Sequence, residues 1–307
     1  MRLDIRYATR FDYGSPVTES QNELRACPAS DDRQHLVHYH VTTVPSSRVT
    51  SYVDYWGTRV DTFGIRSAHD ALEVVAEATV ETAAQAPFHS DADADALAAQ
   101  RFRDHHLEFL QPSAHVAWGG ELAGEAQRVR DAAGGDLTDT VLAIHERVGR
   151  LEYAPGETYV GVDVDEVFAR GGGVCQDFAH LAIAMYRSLG IPARYVSGYL
   201  FAVDDATGAD TDTDEVHVET HAWVEFALPD TGWYALDPTN GQVVGERHVT
   251  IGRGRDYDDV APFRGAYSGS PEHELSVTVT LRRLAGPASA DPAGDGHRRQ
   301  VVQQQQQ

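Results

Sequence analysis

The sequence predicts an α+β protein, with an N-terminal antiparallel β-domain ahead of a core in which one helix precedes a set of strands. Three observations predict this. Residues 1–82 carry short alternating or β-branched runs parted by Pro, Gly, Ser and Asp. The segment CQDFAHLAIAMYRSLG, after three glycines, repeats apolar residues at helical spacing. Three strand-like runs then follow it, ARYVSGYLFAV, VHVETHAWVEFAL and GWYALDPTN.

In chain order, RLDIRYATRFDY, HLVHYHVTTV, TSYVDYWGTRVDTFGI and ALEVVAEATVET are the predicted strands of the first domain, residues 1–82. Residues 83–125 change character. DADADALAAQRFRDHHLEFL is alanine-rich with helical spacing, and the glycines of GGELAGEAQ break it, so this stretch reads as a helical connector. Residues 126–284 form the predicted core domain. It opens on a helix at DLTDTVLAIHERVGRLEY, where Leu137, Val141, Ile144 and Val148 recur every three or four residues and Asp136 can cap the start. In the central helix Phe178, Leu181, Ala182, Met185 and Leu189 make one stripe, and Gly190 with the following Ile-Pro ends it. The acidic DDATGADTDTDE reads as a solvated loop and HELSVTVTLRRL as a last strand. Residues 285–307 are a low-complexity tail expected to be disordered.

The chain has 307 residues, 47 acids against 25 bases and a formal charge of -22. Arginine supplies every base, for there is no lysine. Such a surface repels phosphate backbones and anionic lipid, which argues against nucleic-acid and membrane partners. Hydrated carboxylates also keep a protein soluble in concentrated salt, so a salt-adapted cytoplasm is expected. MRLDIRYATR has no apolar core of signal-peptide length, and no run approaches the ~18 apolar residues of a membrane span.

Two cysteines are present, Cys27 and Cys175. A cytosolic setting disfavours their pairing, and two cysteines alone make no structural zinc site. Cys27 reads as a small buried apolar residue. Cys175 stands at the first helical turn, where unpaired N–H groups carry about half a positive charge and favour thiolate over thiol. The glycines before it leave the sulfur approachable. The placement suits a nucleophile; it is also compatible with a cysteine buried by chance behind a tight turn. A nucleophile needs a base. In VHVETHAWVEF, read as one strand, His217, Glu219, His221, Trp223 and Glu225 share a face, with an apolar underside. GWYALDPTN ends an apolar strand at Asp237, which either caps a turn or accepts an N–H from a neighbouring imidazole. HVETH lacks the glutamate placement of a zinc-protease helix, and on a strand its histidines lie ~13 Å apart, so no metal or other cofactor is expected.

The order Cys175, His221, Asp237 resembles the transglutaminase-like superfamily, a papain-like cysteine fold. GGGVCQDFAHLAIAMYRSLGIPARYVSGYL is similar to that family's nucleophile helix and first core strand, HAWVEF to its histidine strand, and GWYALDPTNG to its aspartate strand. YATRFDYGSPVTESQNELRACP is similar to the β-rich N-terminal region of bacterial and archaeal members. The resemblance implies Cys175 as nucleophile, His221 as general base and acid, and Asp237 as orienting carboxylate. It implies an oxyanion site at the Cys175 backbone N–H, with Tyr159 a candidate second donor. Gln176, Asp177 and His180 follow the family's CQDFAH pattern. His180 lies about 140° around the helix from Cys175, so Asp177 and His180 are expected to pack around the site, as is Trp223 beside His221. The implied activity is acyl transfer from a peptide or protein amide through a thioester, with hydrolysis favoured over amine cross-linking in a lysine-poor setting. A protein-glutamine transglutaminase and an inactive protein-binding module are the alternatives. The lack of a CxxC pair disfavours a thiol-redox protein.

Overall fold

The computed structural model describes residues 1–156, 161–202, 214–269 and 272–284. The tail from 285 and nearly all of the acidic insert lie outside them. The chain begins with strands β1 (Arg2–Leu24), β2 (Gln34–Val44), β3 (Thr50–Val53), β4 (Arg59–Ile65) and β5 (His69–Thr82). Helices α1 (Ala94–Ala98), α2 (Gln100–His105), α3 (Gly120–Ala132) and α4 (Leu137–Gly149) follow. Then come β6 (Glu152–Tyr153), α5 (Val164–Arg170), β7 (Gly172–Gly173), α6 (Cys175–Ser188) and β8 (Ala193–Leu200). The rest comprises β9 (Glu215–Val218), β10 (His221–Leu228), β11 (Gly232–Asp237), β12 (Gln242–Val243), β13 (His248–Gly254), α7 (Tyr257–Val260), β14 (Phe263–Ser268) and β15 (His273–Arg283).

β1 organises the first sheet. Its first half pairs antiparallel with β5 and β15, and its second half with β4 and β14. Alternation of Leu3, Ile5 and Tyr7 toward the core fixes the register. The second sheet runs β12-β11-β10-β8-β13 and is antiparallel throughout. One of its faces, with Ala222, Val224, Phe226 and Leu228, packs on α3, α4 and α6. On its other side Tyr199, Val249 and Ile251 pack against Leu3, Tyr7, Val74 and Leu281 of the first sheet. The second sheet is thus the middle layer, helices on one side and the first sheet on the other.

Four sequence expectations are revised. Residues 273–283 do not close the core domain: β15 pairs with β1 and β9, so the C-terminal strand belongs to the N-terminal sheet. The glycines at 119 and 120 start a helix, α3, because Asp165 Oδ2 accepts the Gly119 N–H at 2.8 Å and fixes its entry. VHVETHAWVEF is two strands in two sheets, β9 and β10, split at Glu219–Thr220. And α6 is buried all round from Asp177 to Arg187 rather than along one stripe, since helices cover the face turned away from the sheet.

Candidate active site

Three glycines bring the chain to α6, each under local constraint. Gly171 ends α5 with φ of 79°, a left-handed cap that favours glycine. Gly172 runs so close to β6 that a Cβ would lie 2.9 Å from the Glu152 carbonyl oxygen. At Gly173 a Cβ would lie 2.6 Å from Asp177 Oδ2. That space lets Asp177 turn back and accept the Val174 N–H at 2.9 Å, capping α6. Asp177 therefore holds the helix start on which Cys175 sits. Cys175 is the first residue of α6 and half-buried, with its neighbour Gln176 on the cleft wall.

Opposite it, His221 is the first residue of β10 and Asp237 the last of β11. His221 Nε2 lies 2.8 Å from Asp237 Oδ2 and 3.3 Å from Asn240 Nδ2, and the Cys175 thiol stands near enough to raise the ring's pKa. Nε2 facing a carboxylate carries the proton, which leaves Nδ1 for the sulfur. Burial disfavours charge on His221, but the hydrogen bonds and charges of Asp237 and Cys175 prevail and push its pKa up to about 10. Asp237 is fully buried. Desolvation opposes its charge, yet hydrogen bonds from His221, His248 and Asn240 hold its carboxyl far below the usual carboxylate range.

Two further groups in this network have no counterpart in the sequence reading. His248, the first residue of β13 and buried, places Nε2 3.2 Å from Asp237 Oδ2. Its Nδ1 accepts the Gly245 N–H, so its Nε2 carries the proton and donates to the carboxylate. Asn240 Nδ2 donates to the same Oδ2 at 2.7 Å. The N–H groups of Thr239 and Asn240 donate to Oδ1 at 3.1 and 3.2 Å. Asp237 therefore both caps its turn and orients His221. The nitrogens of His221 and His248 and the Asp237 oxygen lie within 4.8 Å of one another, the spacing of a metal site. The His248 tautomer gives Nε2 a proton instead of a free lone pair, so the group is satisfied as a hydrogen-bonded set.

The remaining predicted residues fall around this centre. Trp223 is fully buried, its ring edge-on to His248 with centroids 5.3 Å apart. His180 is buried away from the sulfur and accepts the Tyr257 N–H at 3.2 Å. Burial pushes its pKa down to about 3, so it is a neutral packing group. His217 sits on β9 in the other sheet, bonded to Thr280. Tyr159 lies outside the described residues. The thiol and His221 open onto a cleft of about 890 Å³, also walled by Tyr153, Ser197, Glu219 and Asn240.

Residues 125–238 match the transglutaminase-like superfamily, and residues 3–81 match the bacterial transglutaminase-like N-terminal region. The protein ML0607 of Mycobacterium leprae is 38% identical over 285 residues, spanning 92% of this chain and 99% of that one. A protein-glutamine gamma-glutamyltransferase of Pseudomonas aeruginosa is 36% identical over 104 residues, which are 34% of this chain and 15% of that enzyme. Among solved structures, one from Cytophaga hutchinsonii, presented as a candidate cysteine protease, superposes with a TM-score of 0.64 at 22% identity over 90% of both chains. With its helix-borne cysteine facing a histidine strand and an aspartate strand, the chain belongs to the transglutaminase-like superfamily and carries the bacterial N-terminal region of that family.

Proposed function

We propose that this chain is a Cys-His-Asp thiol enzyme that takes the acyl group of an amide or peptide as a thioester and passes it to water. The observation that carries the proposal is His221, hydrogen-bonded to buried Asp237 and beside Cys175 on the wall of one cleft. An imidazole held by Asp237 beside a thiol is placed to take the thiol proton and later give a proton to a leaving amine. The Cys175 thiolate attacks the amide carbonyl carbon, and the negative charge moves to oxygen near the Cys175 N–H and the start of α6. As the C–N bond breaks, His221 Nδ1 gives its proton to the departing amine. Neutral His221 then takes a proton from water, whose oxygen attacks the thioester; the acid leaves and the thiolate–imidazolium pair returns. Asp237 keeps the ring oriented through both halves, and His248 and Asn240 keep Asp237 oriented.

Amine as acceptor is the second reading. The local likeness to the Pseudomonas aeruginosa protein-glutamine gamma-glutamyltransferase favours it. The openness of the cleft to water supports hydrolysis. Incubation of a glutamine peptide with and without a primary amine decides between them: ammonia release with glutamate formed supports hydrolysis, and dominant amine incorporation overturns it.

The acidic, lysine-free composition supports work in a salt-rich cytoplasm. Among the described residues no helix is long and apolar enough to cross a membrane. Activity that peaks below ~0.5 M salt, the level above which screening of surface charge is nearly complete, contradicts the salt-adapted reading. Recovery of the native protein from the envelope fraction contradicts the cytoplasmic one.

A further inference from the structure

β15 is paired unequally on its two sides. β1 covers it from His273 to Arg283, whereas β9 covers only Val279 to Arg282. The Arg283 N–H donates toward β9, to Asp214 O, and the Leu284 N–H toward β1, to Arg2 O. Backbone groups alternate sides along a strand. Val277 and Leu275, two and four residues before Val279, thus aim N–H and C=O at the line that β9 has left. Among the described residues nothing is bonded to them there. Their side chains are 55% and 46% exposed. An open apolar edge is a pairing template that proteins ordinarily blunt.

Here the open edge borders the thiol. Leu275 and Val277 line a lobe of about 290 Å³ with Tyr7 and Phe263. The lobe adjoins the Cys175 cleft, the two sharing Glu219, Thr220, Tyr257 and Pro262 as walls. β9 ends at Val218, three residues before His221, a reach of at most ~10 Å in extended chain. The junction carries the Glu219 carboxylate, and among the described residues no arginine lines either space.

We propose that the substrate is an extended polypeptide segment that adds to β15 at Leu275 and Val277, on the line continued from β9, and is thereby led to Cys175. The proposal rests on Cys175 being the acyl-accepting nucleophile. Recognition is then mainly through main-chain hydrogen bonds, with alternate side chains facing the apolar lobe. Segments with apolar side chains at alternate positions are favoured, and acidic ones are disfavoured by Glu219.

The test uses blocked tetrapeptidyl chloromethyl ketones with apolar side chains, each compared with its analogues N-methylated at one residue at a time. Labelling of Cys175 is followed by mass spectrometry, with iodoacetamide as the small reference reagent. Strand addition predicts that N-methylation slows labelling roughly five- to tenfold at alternate residues and much less between them. Leu275→Pro deletes an N–H on the open side while sparing the β1 ladder, so it is expected to slow the peptidyl reagent alone. Equal effects at every position, or a peptidyl rate unchanged in Leu275→Pro, overturn the proposal and leave the nucleophile standing. Failure of both reagents at Cys175 sinks the nucleophile instead. The edge is then judged on Cys175→Ala with a blocked tetrapeptide amide: protection of the Leu275 and Val277 amides from hydrogen exchange supports it, and no protection overturns it.

Discussion

Asp237→Asn keeps the shape of the side chain and removes its charge. Oδ2 of Asp237 faces N–H groups of His221, Asn240 and His248, and Oδ1 faces the backbone N–H groups of Thr239 and Asn240. An amide presents its oxygen to one set only and turns an NH₂ toward the other. In either rotamer at least two N–H groups lose their acceptor at a carboxylate that is 0% exposed. At ~1–3 kcal/mol for each orphaned group, the loss is about 4 kcal/mol, or on the order of 10 °C in Tm for a chain of this size. The same change removes the Asp237 charge that, with Cys175, keeps His221 protonated. In the wild type the raised pKa of His221 contributes stability that is fully present below about pH 6.5 and lost as pH rises toward about 10. In the variant that loss is smaller, because only Cys175 still raises the pKa of the ring. Thermal unfolding followed by circular dichroism, together with NMR titration of the His221 ring, measures both effects. A variant that melts within ~2 °C of the wild type, less than the shift for 1 kcal/mol, refutes the reasoning. So does a variant whose His221 still titrates near 10.

Gly198 faces His221 across the β8–β10 pair, and a Cβ there would stand 2.1 Å from the Val249 carbonyl oxygen and 2.5 Å from Trp223 Cη2. Gly198→Ala should therefore cost at least ~1–3 kcal/mol by urea unfolding and impair turnover through Trp223; wild-type stability contradicts this packing. Cys175→Ala should abolish turnover and leave the melting curve within about 1 kcal/mol of the wild type, because the half-buried thiol adds little packing. Residual turnover near the wild-type level removes Cys175 from the mechanism. His180, neutral in the fold with its pKa held down to about 3, makes stability fall as pH drops from about 6.5 toward 3, since only the unfolded chain takes up the proton. His180→Gln, judged by Tm against pH, should flatten that part of the curve; an unchanged slope assigns acid lability elsewhere.

The parts legible in the sequence are those written in local periodicity. Asp136 accepts the Asp139 N–H at the start of α4, as its position before an apolar repeat suggests. The helix after the three glycines begins at Cys175, and the runs holding His221 and Asp237 are antiparallel neighbours. What escaped depends on partners distant in sequence. His248 heads a short run, His-Val-Thr-Ile-Gly, that looks like any other strand among fifteen histidines until β13 pairs with β8 and brings the ring to Asp237. The division of β9 from β10 is hidden because alternation continues through Glu219 and Thr220; only pairing with two different sheets reveals it. The membership of β15 in the first sheet is a contact across nearly the whole chain, which no composition boundary records. The three glycines invite a reading in terms of access to the sulfur, whereas their contacts show a cap, a close strand pair and room for Asp177.

The most direct test is the rate of iodoacetamide alkylation at Cys175 at neutral pH, in the wild type and in His221→Ala, with Cys27 as the internal reference. Cys27 is buried with its pKa pushed up to about 12 and should react slowly throughout. The Cys-His-Asp account predicts that wild-type Cys175 is alkylated far faster than Cys27, and that His221→Ala slows alkylation of Cys175 markedly. Equal rates in the wild type and His221→Ala, or a Cys175 no faster than Cys27, would contradict it.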